Sequence, residues 1–137
     1  KLFSEVNITE QVYTEIESKP TYPESISIKK AVENRWLKVQ KSDIVGNILG
    51  TGEASSLSLA SKLKQPLIID DRKAVFISNT LGIEYHGTLY IILEALKRKI
   101  IKNKKEAIDI VNNLVSNNLY LSSEVLSEFY ALIEKVR

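Results

Sequence analysis

At 137 residues, 44% of them apolar and 26% charged, the chain has the length of one domain around one core and the composition of an ordinary globule, which sets disorder aside. Nineteen basic against seventeen acidic side chains leave a net charge of +2, too mild to argue for or against a nucleic-acid partner. With no cysteine and one histidine, His86, a disulfide framework, a thiolate site and a His-rich zinc site are all excluded, so any metal must be held by oxygen. No apolar run approaches a membrane span and no signal-peptide pattern opens the chain, so a cytoplasmic protein without a membrane partner is expected. Methionine is absent even at position 1, and KLFSEV reads as the end of a helix or turn running into a strand. Residues belonging before Lys1 are therefore expected to be missing.

Glu5 to Ile8 is a short strand candidate, and Thr9 is placed to cap the helix that follows, in which Val12, Tyr13 and Ile16 share a face. That spacing puts Glu15 near the face that meets a sheet. SKPTYPES is turn material, and Pro23 is placed to open a second helix over Glu24 to Glu33. WLKVQ suits a half-exposed edge strand, with Trp36 expected to pack. GNILGTGEASS carries three of the five glycines and reads as a loop delivering the chain to a helix marked by Ala54, Leu57, Leu59 and Ala60 and ending before Pro66. Arg72 to Leu81 reads as a helix stopped by Gly82, and Ile83 to Tyr85 as a short strand. Gly87 and Thr88 precede an amphipathic helix with Leu89, Ile92, Leu93 and Leu96 on one stripe and a Lys-Arg-Lys end that suits the helix dipole. Two more helices follow, one through Ala107, Ile110, Val111 and Leu114, the other through Val125, Leu126, Phe129, Leu132 and Ile133, with Ser122 or Ser123 as its cap. Strands interleaved with helices argue for an α/β domain with a parallel sheet.

The stretch LIIDDRKA, residues 67–74, raises the functional question. Leu67, Ile68 and Ile69 have no apolar-polar alternation, which fits a strand buried on both faces of a parallel sheet, with Asp70 and Asp71 at its carboxyl end. Ligands gather at that end in open α/β sheets, although an aspartate there is also a common helix cap. Glu15 on an early helix and Glu53 at a glycine-rich helix start can sit around the same sheet end. A carboxylate cluster without soft ligands suits magnesium or manganese, which neutralise phosphodiester charge and acidify water. Taken singly, Glu15 reads as a solvated helix residue and Glu53 as a residue favoured by a helix N-terminus.

TEQVYTEI, GTGEASSLSLA and LIIDDRKAVFISNTLGIEYHGTLYIILEALKRKII, in that order, closely resemble the PIN-like family of prokaryotic nuclease-toxin relatives, in its DUF3368 subgroup. That subgroup shows a G-E-A segment, a strand ending in D-D-R, a helix, then L-G-I and a G-T turn into a helix. The resemblance covers nearly the whole chain and is strongest from Gly50 to Ile101. It implies an α/β three-layer sandwich, with a central mostly parallel sheet flanked by helices. It also implies that residues 1–137 form one domain, N-terminally incomplete, with residues 102–137 as its C-terminal helical part. The implied activity is that of a Mg2+- or Mn2+-dependent endoribonuclease, many relatives being toxins held inactive by an antitoxin protein. Carried over by position, Glu15 is the acid on the early helix, Glu53 the G-E-A acid, and Asp70 and Asp71 the acids after the central strand. All four are the implied catalytic and metal-holding residues, with Asp71 preferred for the metal and its neighbour for a helix cap or a metal-bound water. Arg72, Lys73 and Thr88 are the candidate RNA contacts.

Two departures stand out. The family begins with a strand carrying an aspartate and a nearby hydroxyl residue, and nothing before Glu5 supplies either. Val75 stands where the subgroup has another arginine. Losing a first strand would remove a central ligand and expose sheet edges that invite pairing with another chain, so a homodimer is expected and catalysis would be weak or dead. The alternative function is a catalytically inactive module that grips RNA or a protein. The basic run of Lys97, Arg98, Lys99, Lys102, Lys104 and Lys105 reads as a helix end and solvated turn before it reads as an RNA patch. His86 is expected to make a structural hydrogen bond.

Overall fold

The computed structural model describes residues 2–44 and 46–137. Contacts divide the chain into two units, one of Phe3–His86 and one of Gly87–Arg137 with Leu2.

The first unit opens with β1 (Val6–Thr9), whose last residue turns directly into α1 (Glu10–Glu17). Thr9 is fully buried and its side chain accepts the Val12 N–H, which satisfies one of the helix's orphan donors. α2 (Pro23–Glu33) starts at Pro23, whose fixed φ and missing N–H suit the first helical position. The chain then returns as β2 (Leu37–Gln40), parallel to β1 with Val6 opposite Leu37 and Thr9 opposite Gln40. Two parallel strands cannot be joined by a tight hairpin, and the α1–α2 pair supplies the crossover. Leu37 is buried, whereas Trp36 is 51% exposed, so the indole expected to pack stands half in solvent just before the strand begins.

α3 (Thr51–Leu63) is the unit's central helix: it packs on α1, on β1, on β3 (Leu67–Ile68) and on α4 (Arg72–Leu81). Ala54, Leu57, Leu59 and Ala60 are buried along it, as their spacing predicts. It ends on Lys64 in the left-handed conformation, before Pro66. β3 pairs in parallel with β4 (Tyr85–His86), Leu67 opposite Tyr85 and Ile68 opposite His86. α4 begins and ends where the sequence places it, with Gly82 at φ 66 as its left-handed C-cap. The expectation of a doubly buried strand at Leu67–Ile69 fails. β3 is two residues long, Ile68 is 40% exposed, and Leu67 and Ile69 are only partly buried. Its one strand neighbour among the described residues is β4, and side-chain burial in a strand is set by the layers around it rather than by its own apolarity. The described strands thus form two parallel pairs, β1 with β2 and β3 with β4, within an α/β architecture.

The second unit is helical: α5 (Thr88–Lys97), α6 (Lys104–Ser116) and α7 (Ser123–Lys135). Its core joins Leu89, Ile92, Leu93 and Leu96 of α5 to Ala107 and Val111 of α6 and Phe129 and Ile133 of α7, while Val125 and Leu132 of the expected α7 stripe stand exposed. Ser122 caps α7 by accepting the Val125 N–H, and Asn103 caps α6 by accepting from Glu106, whose own carboxylate takes the Lys102 N–H. No helix of the described residues is long and apolar enough to cross a membrane.

Candidate functional site

Two acids distant in sequence lie against the first turn of α3. Its N-cap, Gly50, offers no side-chain oxygen, so the opening N–H groups have no cap from that residue. Two carboxylates lie against this turn instead. Glu15, an exposed residue of α1, places both carboxylate oxygens beside Gly52: a Cβ added there would stand 3.0 Å from each. The Thr51 hydroxyl donates to Glu15 Oε1 at 3.2 Å. Glu53, in the first turn itself, folds back so that its Oε2 would stand 2.5 Å from a Cβ at Gly50. Negative charge at a helix N-terminus is favoured by the partial positive charge of the unpaired N–H groups. Glu15 therefore reaches α3, and not the sheet face to which its spacing pointed.

A buried chain of hydroxyls holds α1 in register with α3. Thr9 Oγ1 and Ser55 Oγ are 2.8 Å apart, both side chains fully buried, and Ser55 Oγ donates to Gly52 O at 2.9 Å. Because the one Ser55 hydrogen goes to Gly52 O, the Thr9 hydroxyl is the donor in the Thr9–Ser55 bond, while its oxygen accepts from Val12 N at 3.2 Å. Ser42 extends the network by donating to Ser55 O at 2.8 Å, and its own carbonyl accepts from Gln11 Nε2. The N-cap of α1 is thus tied to the backbone of Gly52, beside which the carboxylate of Glu15 lies.

Asp70 and Asp71 follow β3 at its carboxyl end, as the sequence predicts, and both are exposed. Asp71 is the N-cap of α4: its Oδ1 accepts the Ala74 N–H at 2.9 Å. One oxygen of the residue expected to favour a metal is therefore committed to a helix end. Among the described residues, no three acidic or imidazole side chains gather into one cluster. Arg72 and Lys73 are exposed in the first turn of α4, and Thr88 is the first residue of α5 in the second unit. His86 Nε2 is 3.0 Å from Glu84 Oε1, a structural hydrogen bond of the expected type. The basic run is drawn partly into local pairs: Lys97 Nζ lies 2.7 Å from Glu94 Oε1, and Lys104 Nζ donates to Glu134 O at 2.8 Å. An open cleft of about 930 Å3 between α3, α4 and the loop before α3 is lined by residues such as Lys41, Ile48, Leu57, Lys62 and Leu81, and by none of the four candidate acids.

A family model for DUF3368, described as a PIN domain, matches residues 1–135. The chain belongs to the PIN domain family. Neither the curated proteins nor the solved structures offer a significant match. PIN domains generally use divalent metals, and the donor chemistry of this PIN domain can be tested against that need. Two carboxylates and a hydroxyl converge at one helix turn, all hard oxygen donors with no competing thiolate or imidazole. A magnesium-sized ion keeps several waters and takes only one or two protein carboxylates, so this set fits by donor type. Glu15 and Glu53 are the carboxylates at this turn that could hold such an ion.

Sequence reasoning missed Thr51, Gly50 and Gly52, which it read as loop material. The available signal was the spacing G-T-G-E at a helix start, two glycines in places where no turn requires them.

Proposed function

We propose that the chain is a metal-dependent endoribonuclease of PIN type. The observation that carries this reading is the convergence of Glu15 and Glu53 on the first turn of α3, in a chain of the PIN family. The chemistry supplied by a bound magnesium or manganese ion is neutralisation of phosphodiester charge and acidification of a water. Glu15 and Glu53 would supply the negative charge that holds the ion, and the Thr51 hydroxyl donates to the Glu15 carboxylate and orients it. Asp71, whose Oδ1 caps α4, and Asp70 beside it are the further candidate acids, at the end of β3. Arg72 and Lys73, at the exposed start of α4, contact the RNA backbone through charge and not base sequence, and Thr88 is a further RNA contact. The substrate is RNA, the setting is the cytoplasm, and the partners are an antitoxin protein and a second copy of the chain, with 1–137 acting as one functional domain.

The test is cleavage of a labelled single-stranded RNA by the purified chain with magnesium, with manganese and with chelator. Cutting should require the ion, and Glu15→Gln or Glu53→Gln should lower the rate by about a hundredfold or more, as expected when a group acting on transition-state charge is removed. If neither ion supports cutting while RNA is still retained on the protein, the chain is a PIN-type binding module without catalysis.

A further inference from the structure

Gly52 is a glycine without a conformational reason. It lies in the first turn of α3, at no positive φ, where an alanine would raise helix stability by restricting the unfolded chain. It is also buried, its carbonyl oxygen accepting from Ser55 and Ser56. What the missing methyl leaves is room. The Cβ position is 3.0 Å from Glu15 Oε1, 3.0 Å from Oε2 and 3.2 Å from Cδ, closer than ordinary van der Waals contact. Gly50 repeats the arrangement: its φ of −59° and ψ of 159° are open to any residue, and a Cβ there would meet Glu53 Oε2 at 2.5 Å.

We propose that Gly52 is a positioning residue for Glu15, and Gly50 for Glu53: each glycine is a seat from which a methyl is excluded so that a carboxylate can lie on the first turn of α3. The two seats set how the acids face a divalent ion, a step that rests on the metal-dependent reading above. The atoms that would have to move are the ends of flexible side chains, not backbone. An alanine at 52 therefore displaces the Glu15 carboxylate without breaking the helix. Thr51, the neighbour that donates to Glu15 Oε1, helps to fix the carboxylate on the seat.

A double-mutant cycle tests the seat in metal-free protein, and a manganese titration tests its use. Thermal unfolding in chelator is measured for the wild type, Gly52→Ala, Glu15→Ala and the double variant. Gly52→Ala should raise the melting temperature more when Glu15 is already truncated than when it is present, because only then does the methyl enter an empty seat. Gly52→Ala should also weaken manganese affinity by about tenfold or more, the usual loss when a residue that orients a ligand is changed. Thr51→Val provides a second variant, which leaves the glycine in place and should weaken manganese in the same direction. Additive melting shifts overturn the seat. Coupled shifts with manganese affinity unchanged in both variants overturn the positioning role. Coupled shifts with no manganese response in the wild type overturn the metal reading, and the seat is then only packing.

Discussion

Asp71 caps α4 and is also one of the proposed acids, and the two roles separate by substitution. Asparagine keeps an oxygen for the Ala74 N–H, so Asp71→Asn should leave urea-denaturation stability nearly unchanged and remove RNA cleavage. Asp71→Ala loses the cap as well and should cost about 1 kcal/mol. If Asp71→Asn cuts RNA like the wild type, Asp71 is a cap alone. Glu5 offers a different measurement. Its carboxylate pKa is held below the usual range, chiefly by the hydrogen bond from Lys38, then by that from Asn7 and by the Lys38 charge. A depressed folded pKa means stability that is present above the unfolded carboxylate value of about 4.3 and lost as pH falls through the lower folded value. Glu5 and Lys38 are well exposed, so the contribution is small, and the measurement is the NMR titration midpoint of Glu5, which should rise in Lys38→Gln.

At the scale of the element, ends were legible and pairings were not. Thr9, Pro23, Gly82 and Ser122 each act at the boundary that local chemistry assigns them, because a cap needs only its own turn. Gly82 sits at φ 66, so Gly82→Ala should destabilise by about 1–2 kcal/mol in urea denaturation, the opposite sign to the gain expected from alanine at Gly52. β4 begins two residues later than the expected Ile83, at Tyr85, because its extent is set by pairing with β3. The run Leu67–Ile69 misled for the same reason: apolarity states what a strand tolerates, and its neighbours decide what is buried. Thr9 was legible as a cap, but its bond to Ser55, 46 residues on, and the link from Ser55 to Gly52 were not, since they depend on α1 packing against α3. Thr9→Val keeps the shape and removes the hydroxyl, leaving buried polar partners unmatched, and should cost about 1–3 kcal/mol by urea denaturation.

At the scale of the molecule, the α/β class and the family were legible from the order of motifs, while the site was legible only as a set of residue types. Glu15 and Glu53 were named, but that Glu15 would lie on the first turn of α3 depends on the packing of α1 against α3. The helical unit follows its stripes in part: Phe129 at 3% exposure and Ile133 are buried anchors, whereas Val125 and Leu132 of the same expected stripe are exposed. Phe129→Ala should cost about 3–5 kcal/mol in urea denaturation, a large share of a marginal total of about 5–15 kcal/mol. The glycine beside Glu15 also bears on how such a protein changes over generations. A glycine codon becomes an alanine codon by one base change, and at position 52 that change is expected to strengthen the fold while moving an acid from its place. On the proposed reading, weaker metal binding is then a single step that improves folding, so selection for stability alone would favour alanine, and selection for the proposed reaction is what would keep position 52 bare.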